Sequence, residues 1–343
     1  MSAKTMLIKF CHIEEAIGET RAAVLYKNRP IEYYVRRWSE RSKPRAGDVF
    51  SGRVTSIDKT LMAAFVELGA GPQGLFSFTQ NNKAPRITEG QMLRVQILRE
   101  SEAGKGPLLG FVELSGEKKP TKEKCKTLKE MIRGRYKDIK FINKPVDDLE
   151  RATETEVSLM GGGFFYIEHT RAGTMIDVDT GGAGSKTEIG MRAAQKIAHQ
   201  VRLRGIGGLV LVDFPNVRKH KDREMIWKTL NESFIGDPDN VKIAPFSRFG
   251  TVEFTRTRRG SILAHVLNDK FGRETAETIA LQGLRRLDIE AQVQGGAKLK
   301  LELPKRAYEW LENGVIDWKM PLTAKFGARF SVKIGPKIDV YKE

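Results

Sequence analysis

The segment that decides the fold reads GGGFFYIEHTRAGTMIDVDTGGAGSK over residues 161–186 and GIGGLVLVDFPN over residues 205–216. Two extended, apolar runs each carry carboxylates, and a helix-forming stretch separates them. In TMIDVDT, Asp177 and Asp179 stand two residues apart, so on a strand both side chains leave the same face. In GLVLVDF the uninterrupted apolar run Leu209-Val210-Leu211-Val212 predicts a buried strand, and Asp213 ends it. Between them, from Lys186 to Arg202, Ile189, Ala193, Ile197, Ala198 and Val201 fall on one side of a helix. The helix runs into RLRGIGG, a glycine-rich stop. Such a crossover lets the two acid-bearing strands lie adjacent and parallel. Three carboxylates at strand ends suit a hard divalent cation, which prefers oxygen ligands and keeps waters of its own. Acids in those positions also simply face solvent or cap helices, and spacing alone leaves both readings open.

Composition narrows the partner. Lys plus Arg number 59 against 43 Asp plus Glu in 343 residues, a formal net charge of +16. That excess points to a polyanion, whose neutralised phosphates release counterions on binding. No apolar run is long enough to span a membrane, no lipidation motif is evident, and MSAKTMLIKF lacks the features of a signal peptide, so a cytoplasmic protein is expected. Two cysteines, Cys11 and Cys125, cannot build a disulfide framework or a Cys-rich zinc site within one chain. GGAGSKT looks like a nucleotide-binding loop, but that motif needs Gly directly before Lys, and Ser185 stands there; an ATPase is rejected. A lone His169, in IEHT, is read as a hydrogen-bonded structural residue rather than a general base.

The pattern GG-x4-IEHT-x5-IDVDT, then RLRGIGGLVLVDF, then APFSRFGTVEFTR resembles the catalytic core of the ribonuclease E/G family. The resemblance implies a deoxyribonuclease I-like α/β nuclease core that hydrolyses single-stranded RNA with Mg²⁺, Mn²⁺ being an alternative. It implies 5′-phosphate and 3′-hydroxyl products, in RNA processing or decay. The positions matching the family's metal ligands are Asp177 and Asp213; a family position that is usually Asn falls on Asp179, expected to assist directly or through a water. Where the family carries a Cys-Pro-x-Cys zinc link, this chain reads SILAHVLNDKFG, so no structural zinc is expected. The family's small C-terminal domain dimerises, which implies a homodimer here. Longer members also carry a 5′-end-sensing pocket ahead of the core, for which this chain has little room. The rival reading is a non-catalytic RNA-binding protein whose core serves as a scaffold.

Ahead of the core, residues from about Met6 to Arg37 predict two or three short strands with a turn at Lys27–Pro30. From Ala46 to Ser115, five short alternating strands with glycines at Gly52, Gly69, Gly71 and Gly74 suit an OB-type barrel. The sequence there is similar to the S-one RNA-binding barrels. Aromatic faces stack on unpaired bases, and Phe65 matches a family RNA-contacting aromatic. A second such position falls near Leu75, so Phe76 is the other candidate, with Lys105 nearby. Ten of the 24 residues from Glu117 to Lys140 are Lys or Arg, which reads as a solvated face or linker or, through a weak helical stripe of Leu128, Met131 and Ile132, as a short basic helix on RNA. Beyond the core strands, Arg248 and Arg256 offer guanidinium forks for RNA phosphates. The expected division is an N-terminal β segment (1–45), the barrel (46–116), a basic linker or helical segment (117–156), the nuclease core (157–262) and a small α+β C-terminal domain (263–343).

Overall fold

The computed structural model describes residues 10–343 except 102–104, 183 and 259. Strands β1 (Phe10–Ala16), β2 (Glu19–Tyr26) and β3 (Arg29–Arg37) form an antiparallel meander. The expected strand start at Met6 lies outside the described residues. Lys27 and Asn28 make the β2–β3 turn with φ of 48° and 61°, the left-handed pair whose twist suits a hairpin.

The chain then leaves this sheet to build a barrel. Strands β4 (Val49–Asp58), β5 (Ala63–Glu67), β6 (Gly74–Ser77), β7 (Met92–Arg99) and β8 (Leu108–Leu114) run in the order β5-β6-β8-β7-β4, and a β4–β5 pairing closes the ring. Phe50, Val66, Phe76, Leu93, Val95, Ile97 and Leu109 fill it. A sixth strand, β9 (Thr121–Lys124), pairs with Val49–Ser51 of β4. Helix α1 (Leu128–Arg135) follows, started by a reciprocal capping box between Thr127 and Glu130. Strand β10 (Lys140–Asn143) then returns to pair in parallel with β1, so the barrel is an insertion within a sheet-and-helix unit of order β10-β1-β2-β3.

Residues 117–156, expected as a basic linker or helical segment, hold a strand, a helix and a strand. Leu128, Ile132, Tyr136 and Ile139 are buried against Cys11, Val24 and Ile31 of the N-terminal sheet. The lysines and arginines coat the outer side of a segment whose inner side is apolar at three- and four-residue spacing. The stripe is only four residues long, too short to outweigh the charge run when read without its partner sheet.

The central sheet comprises β11 (Glu156–Ser158), β12 (Phe164–His169), β13 (Thr174–Asp179), β14 (Gly208–Asp213), β15 (Val241–Ile243) and β16 (Thr251–Arg256), in the order β11-β12-β13-β14-β16-β15. Helix α2 (Lys186–Leu203) is the crossover between β13 and β14, which pair in parallel as expected, and α3 (His220–Ser233) follows β14. Both helices cover one face, with Ile189, Ile197, Ile226 and Leu230 packed on Phe165, Ile176, Val210 and Val212. The two helices approach so closely that a Cβ on Gly190 would stand 2.5 Å from Ile226 Cδ1. The opposite face is open and presents Tyr166, Met175, Asp177, Leu209 and Asp213 to solvent. After a short helix α4 (Leu263–Leu267), the chain ends in α5 (Ala276–Val293), β17 (Leu299–Leu303), α6 (Lys305–Glu312), α7 (Lys319–Phe326), β18 (Phe330–Ile334) and β19 (Asp339–Lys342). Its sheet has the order β18-β17-β19 and packs around Leu281, Leu284, Leu301 and Trp318. No helix among the described residues is long and apolar enough to cross a membrane.

Arg256, expected on RNA, is instead 4% exposed. Its Nε and Nη2 donate to the Asp237 carboxylate at 3.0 and 3.1 Å, Nη2 lies 2.8 Å from Asp239 Oδ2, and Nη1 donates to the Ile206 carbonyl at 3.0 Å. Asp239 also accepts both Nη groups of Arg135, which reaches Glu32, itself bound by Arg202. Arginines of this strand looked alike in sequence, but 256 is an inward position and 248 an outward turn. Removing one member of a buried pair leaves its partners uncompensated, at about 3–5 kcal/mol. Arg256→Leu is therefore expected to lose stability of that order in urea unfolding; a loss below about 1 kcal/mol would contradict the role assigned to the network.

His169 closes β12 with Nδ1 3.0 Å from Thr174 Oγ1 and its ring against His265. Burial first, then the neighbouring His265 and Arg204, push its pKa down to about 4. The unfolded imidazole titrates near 6.5. Between pH 6.5 and 4 the unfolded chain therefore binds the extra proton, and this residue's contribution is complete above that window and lost as pH falls through it. Roughly 2 kcal/mol of stability should go between pH 7 and pH 5 through this group. His169→Asn should flatten the pH dependence of the urea midpoint over that range, and an unchanged slope would show that His169 is not its source.

Candidate active site

The parallel pairing of β13 and β14 sets Asp177 directly opposite Asp213 in register. Adjacent strands are about 4.8 Å apart, so the two carboxylates share one patch of the open face. Asp179, two residues on, leaves that face too, and its Oδ1 accepts the Gly181 N–H at 2.8 Å. All three acids are exposed. Burial, and then the charge of Asp177, hold the Asp213 carboxyl above its usual range. Tyr166, the register partner of Asp177 on β12, has its hydroxyl pushed upward by partial burial, by its hydrogen bond to Glu156 and by the charges of Asp179 and Asp177.

Among the described residues no three His, Cys, Asp or Glu side chains gather closely enough to enclose a metal ion. The arrangement is a pair of carboxylates with a third alongside. That fits a small hard dication which keeps most of its waters and takes one or two protein carboxylates plus substrate phosphate. An Asp213 carboxyl made costlier to ionise by the Asp177 charge beside it is also a donor that such a cation relieves.

Four loops meet at this end of the sheet. The β11–β12 turn passes beside Asp179, where a Cβ on Gly163 (φ +83°) would stand 3.0 Å from the Asp179 carbonyl. Residues 184–185 and 214–219 lead into α2 and α3, whose first turns have no side-chain cap at Ser185 or Lys219. Their first-turn N–H groups and positive dipole ends lie at the carboxylate end of the sheet, with Arg218, Lys219 and Lys221 exposed beside α3. The fourth loop is the β15–β16 hairpin. Thr251, which opens β16, is the register partner of Asp213. Ser247 Oγ accepts the N–H groups of Phe249 and Thr251, each at 3.2 Å, and fixes a turn that carries Arg248 and a Phe249 that is 92% exposed. Phe249 is the residue that reading the sequence missed. Its signal was an aromatic next to a turn glycine, Gly250, rather than within a strand.

The barrel divides its candidates. Phe65 is half-exposed on the outer side of β5, with Leu75 opposite it in register. Lys105 is exposed in the connection before β8. Phe76 is fully buried, edge-on to Phe78 and Phe111, and is corrected from a stacking residue to barrel core. One position on a strand reverses the side, so Leu75 points outward and Phe76 inward.

Residues 118–259 match the model of the ribonuclease E/G family, and residues 43–110 match that of the S1 RNA-binding domain. Ribonuclease G of Escherichia coli strain K12 is 31% identical over 144 residues, covering 39% of this chain and 29% of that protein. Ribonuclease G of Haemophilus influenzae is 29% identical over 166 residues, covering 42% and 34%. Ribonuclease E of Synechocystis sp. is 35% identical over 122 residues, covering 34% and 18%. The matched stretch thus spans about a third or less of each relative's length. Residues 118–259 are thus similar to the ribonuclease E/G family, behind a segment similar to the S1 RNA-binding domain.

Proposed function

We propose that this protein is an endoribonuclease that cuts single-stranded RNA on the open face of its central sheet, leaving 5′-phosphate and 3′-hydroxyl ends. The core would be of the deoxyribonuclease I-like kind. The observation that carries the reading is the register of Asp177 against Asp213 on parallel strands in a chain with net charge +16. Paired acids on an otherwise basic RNA-binding protein repel the substrate, and chemistry is the use that offsets this.

Asp177 and Asp213 would hold Mg²⁺, or Mn²⁺ in its place, with Asp179 alongside. The ion would polarise the phosphodiester and acidify a water. The chain's own groups do the rest. The N-terminal ends of α2 and α3 and the Arg218 and Arg248 side chains offer N–H donors to the phosphates flanking the cut. Phe249 offers a ring to a neighbouring base, and Phe65 on the barrel holds the strand farther along. The role in RNA processing, ribosomal RNA maturation included, and cytoplasmic action follow from this reading, as does a homodimer through the C-terminal unit.

Asp177→Asn and Asp213→Asn should each abolish cleavage of a labelled single-stranded RNA while RNA affinity holds or rises, because the change removes negative charge facing phosphates. Cleavage within tenfold of the parent by either variant would overturn the assignment, and binding without cleavage by the parent, with Mg²⁺ or Mn²⁺ supplied, would leave an RNA-binding scaffold. Phe65→Ala should cost about 1–3 kcal/mol of RNA binding with the melting temperature nearly unchanged. Phe76→Ala should instead cost about 3–5 kcal/mol of barrel stability, and the reverse pattern in calorimetry and filter binding would exchange their roles.

A further inference from the structure

A cavity of about 450 Å³ lies where the N-terminal sheet, the barrel and the central domain meet, away from the paired acids. Its walls include Arg36 of β3, Leu98 of β7, Glu100, Lys126 before α1, and Arg204 at the end of α2. The acids on the wall are already committed. Glu32 and Asp239 serve Arg135, Arg202 and Arg256. Glu100 accepts the Ala46 N–H at 3.2 Å, and burial raises its carboxyl above the usual range.

Two guanidinium groups hold no direct ion pair among the described residues: the carboxylates that act on them, Asp48 and Glu100 on Arg36 and Glu154 on Arg204, do so from farther off. Arg204 is 3% exposed and uses two of its donors, Nε to Gln200 Oε1 and Nη1 to the Glu154 carbonyl, both at 2.8 Å. Burial pulls it down to about 10. Arg36 donates to the Lys126 carbonyl and, at 3.7 Å, to Met131 Sδ, and burial lowers it as well. A guanidinium has five donors, and an uncompensated charge away from water is expensive. Both arginines line one cavity whose mixed wall also carries the apolar side chains of Leu98, Leu263 and Val266. The volume falls in the range of about 300–1,000 Å³ of small-ligand sites, larger than a bare phosphate needs.

We propose that this cavity binds a nucleoside monophosphate, its phosphate received by Arg36 and Arg204 and its base against the Leu98 side. The phosphate supplies an anion in direct contact with these two arginines, and the base covers the apolar side chains. Because the walls come from three parts of the chain, an occupied cavity fastens the barrel to the central domain. The nucleotide could be free or part of an RNA strand, and the chemistry of recognition is shared.

The test is isothermal titration of the full chain with AMP, adenosine and inorganic phosphate at about 0.15 M salt, where exposed charges are screened. Saturable one-to-one binding of AMP is expected, at least tenfold tighter than adenosine or phosphate alone. Arg36→Gln and Arg204→Gln should each weaken AMP at least tenfold, whereas Phe65→Ala should leave it unchanged. If Arg204→Gln lowers the melting temperature of the free protein, the half-exposed Arg36 decides the matter. A ten-residue oligoribonucleotide that displaces AMP identifies RNA as the source, and one that does not identifies the free nucleotide; each supports the site. Absence of saturable AMP binding, adenosine binding as tightly as AMP, unchanged binding by Arg36→Gln, or loss of binding in Phe65→Ala would overturn it.

Discussion

The structure depends on a buried ionic network that joins pieces far apart in sequence. Glu32 comes from the N-terminal sheet, Arg135 and Tyr136 from the end of α1, Arg202 from α2, Asp237 and Asp239 from the loop after α3, and Arg256 from the last long strand. Each charge loses several kcal/mol of hydration on burial, and only close geometry and multiple hydrogen bonds offset that loss. The network therefore tolerates one arrangement of these elements. That matters here because the barrel interrupts the N-terminal unit. Between β3 and α1 the chain makes a whole domain, and when it returns it must find the same neighbours.

A second network does the same for the other end. Arg21 and Arg37 converge on a fully buried Glu19, and Arg37 also donates to Thr278 Oγ1 of α5 at 2.7 Å. Glu14 accepts Arg285 of the same helix. The C-terminal unit is thus tied to the N-terminal sheet by charge-assisted bonds as well as by the packing of Ile17 among its leucines. A strongly basic chain uses many of its arginines internally, so the number of arginines overstates how many are available to RNA.

The acidic patch is the counterpart of that distribution. One face of the central sheet is sealed by α2 and α3, and the other carries Asp177, Asp179 and Asp213 without cover. Placing Asp177 opposite Asp213 raises the cost of ionising Asp213, a local expense that the apolar packing beneath, through Ile176 and Val212, supports. Parallel pairing is what makes them neighbours. In an antiparallel pair with a tight turn, two strand-terminal acids would lie at opposite ends.

Much of this was written locally. The β13–α2–β14 unit was legible because a period-two strand, a period-3.6 helix and an uninterrupted apolar strand follow one another with glycine stops, and each pattern has one economical structure. The barrel was legible for the same reason, as was the presence of acids at both strand ends. What only the tertiary structure decided was the direction of individual side chains and the fate of charge. Phe76 and Leu75 differ by one residue, and the closure of the barrel, not composition, turns the larger ring inward. Arg256 and Arg248 have the same chemistry, but the loop from Asp237 to Asp239 supplies one of them with carboxylates that no local pattern announces. The basic run after the barrel became a strand, a helix and a strand because a sheet folded much earlier in the chain offers its short apolar stripe a partner. Propensity and periodicity are properties of neighbours in sequence; burial and ion pairing are properties of neighbours in space.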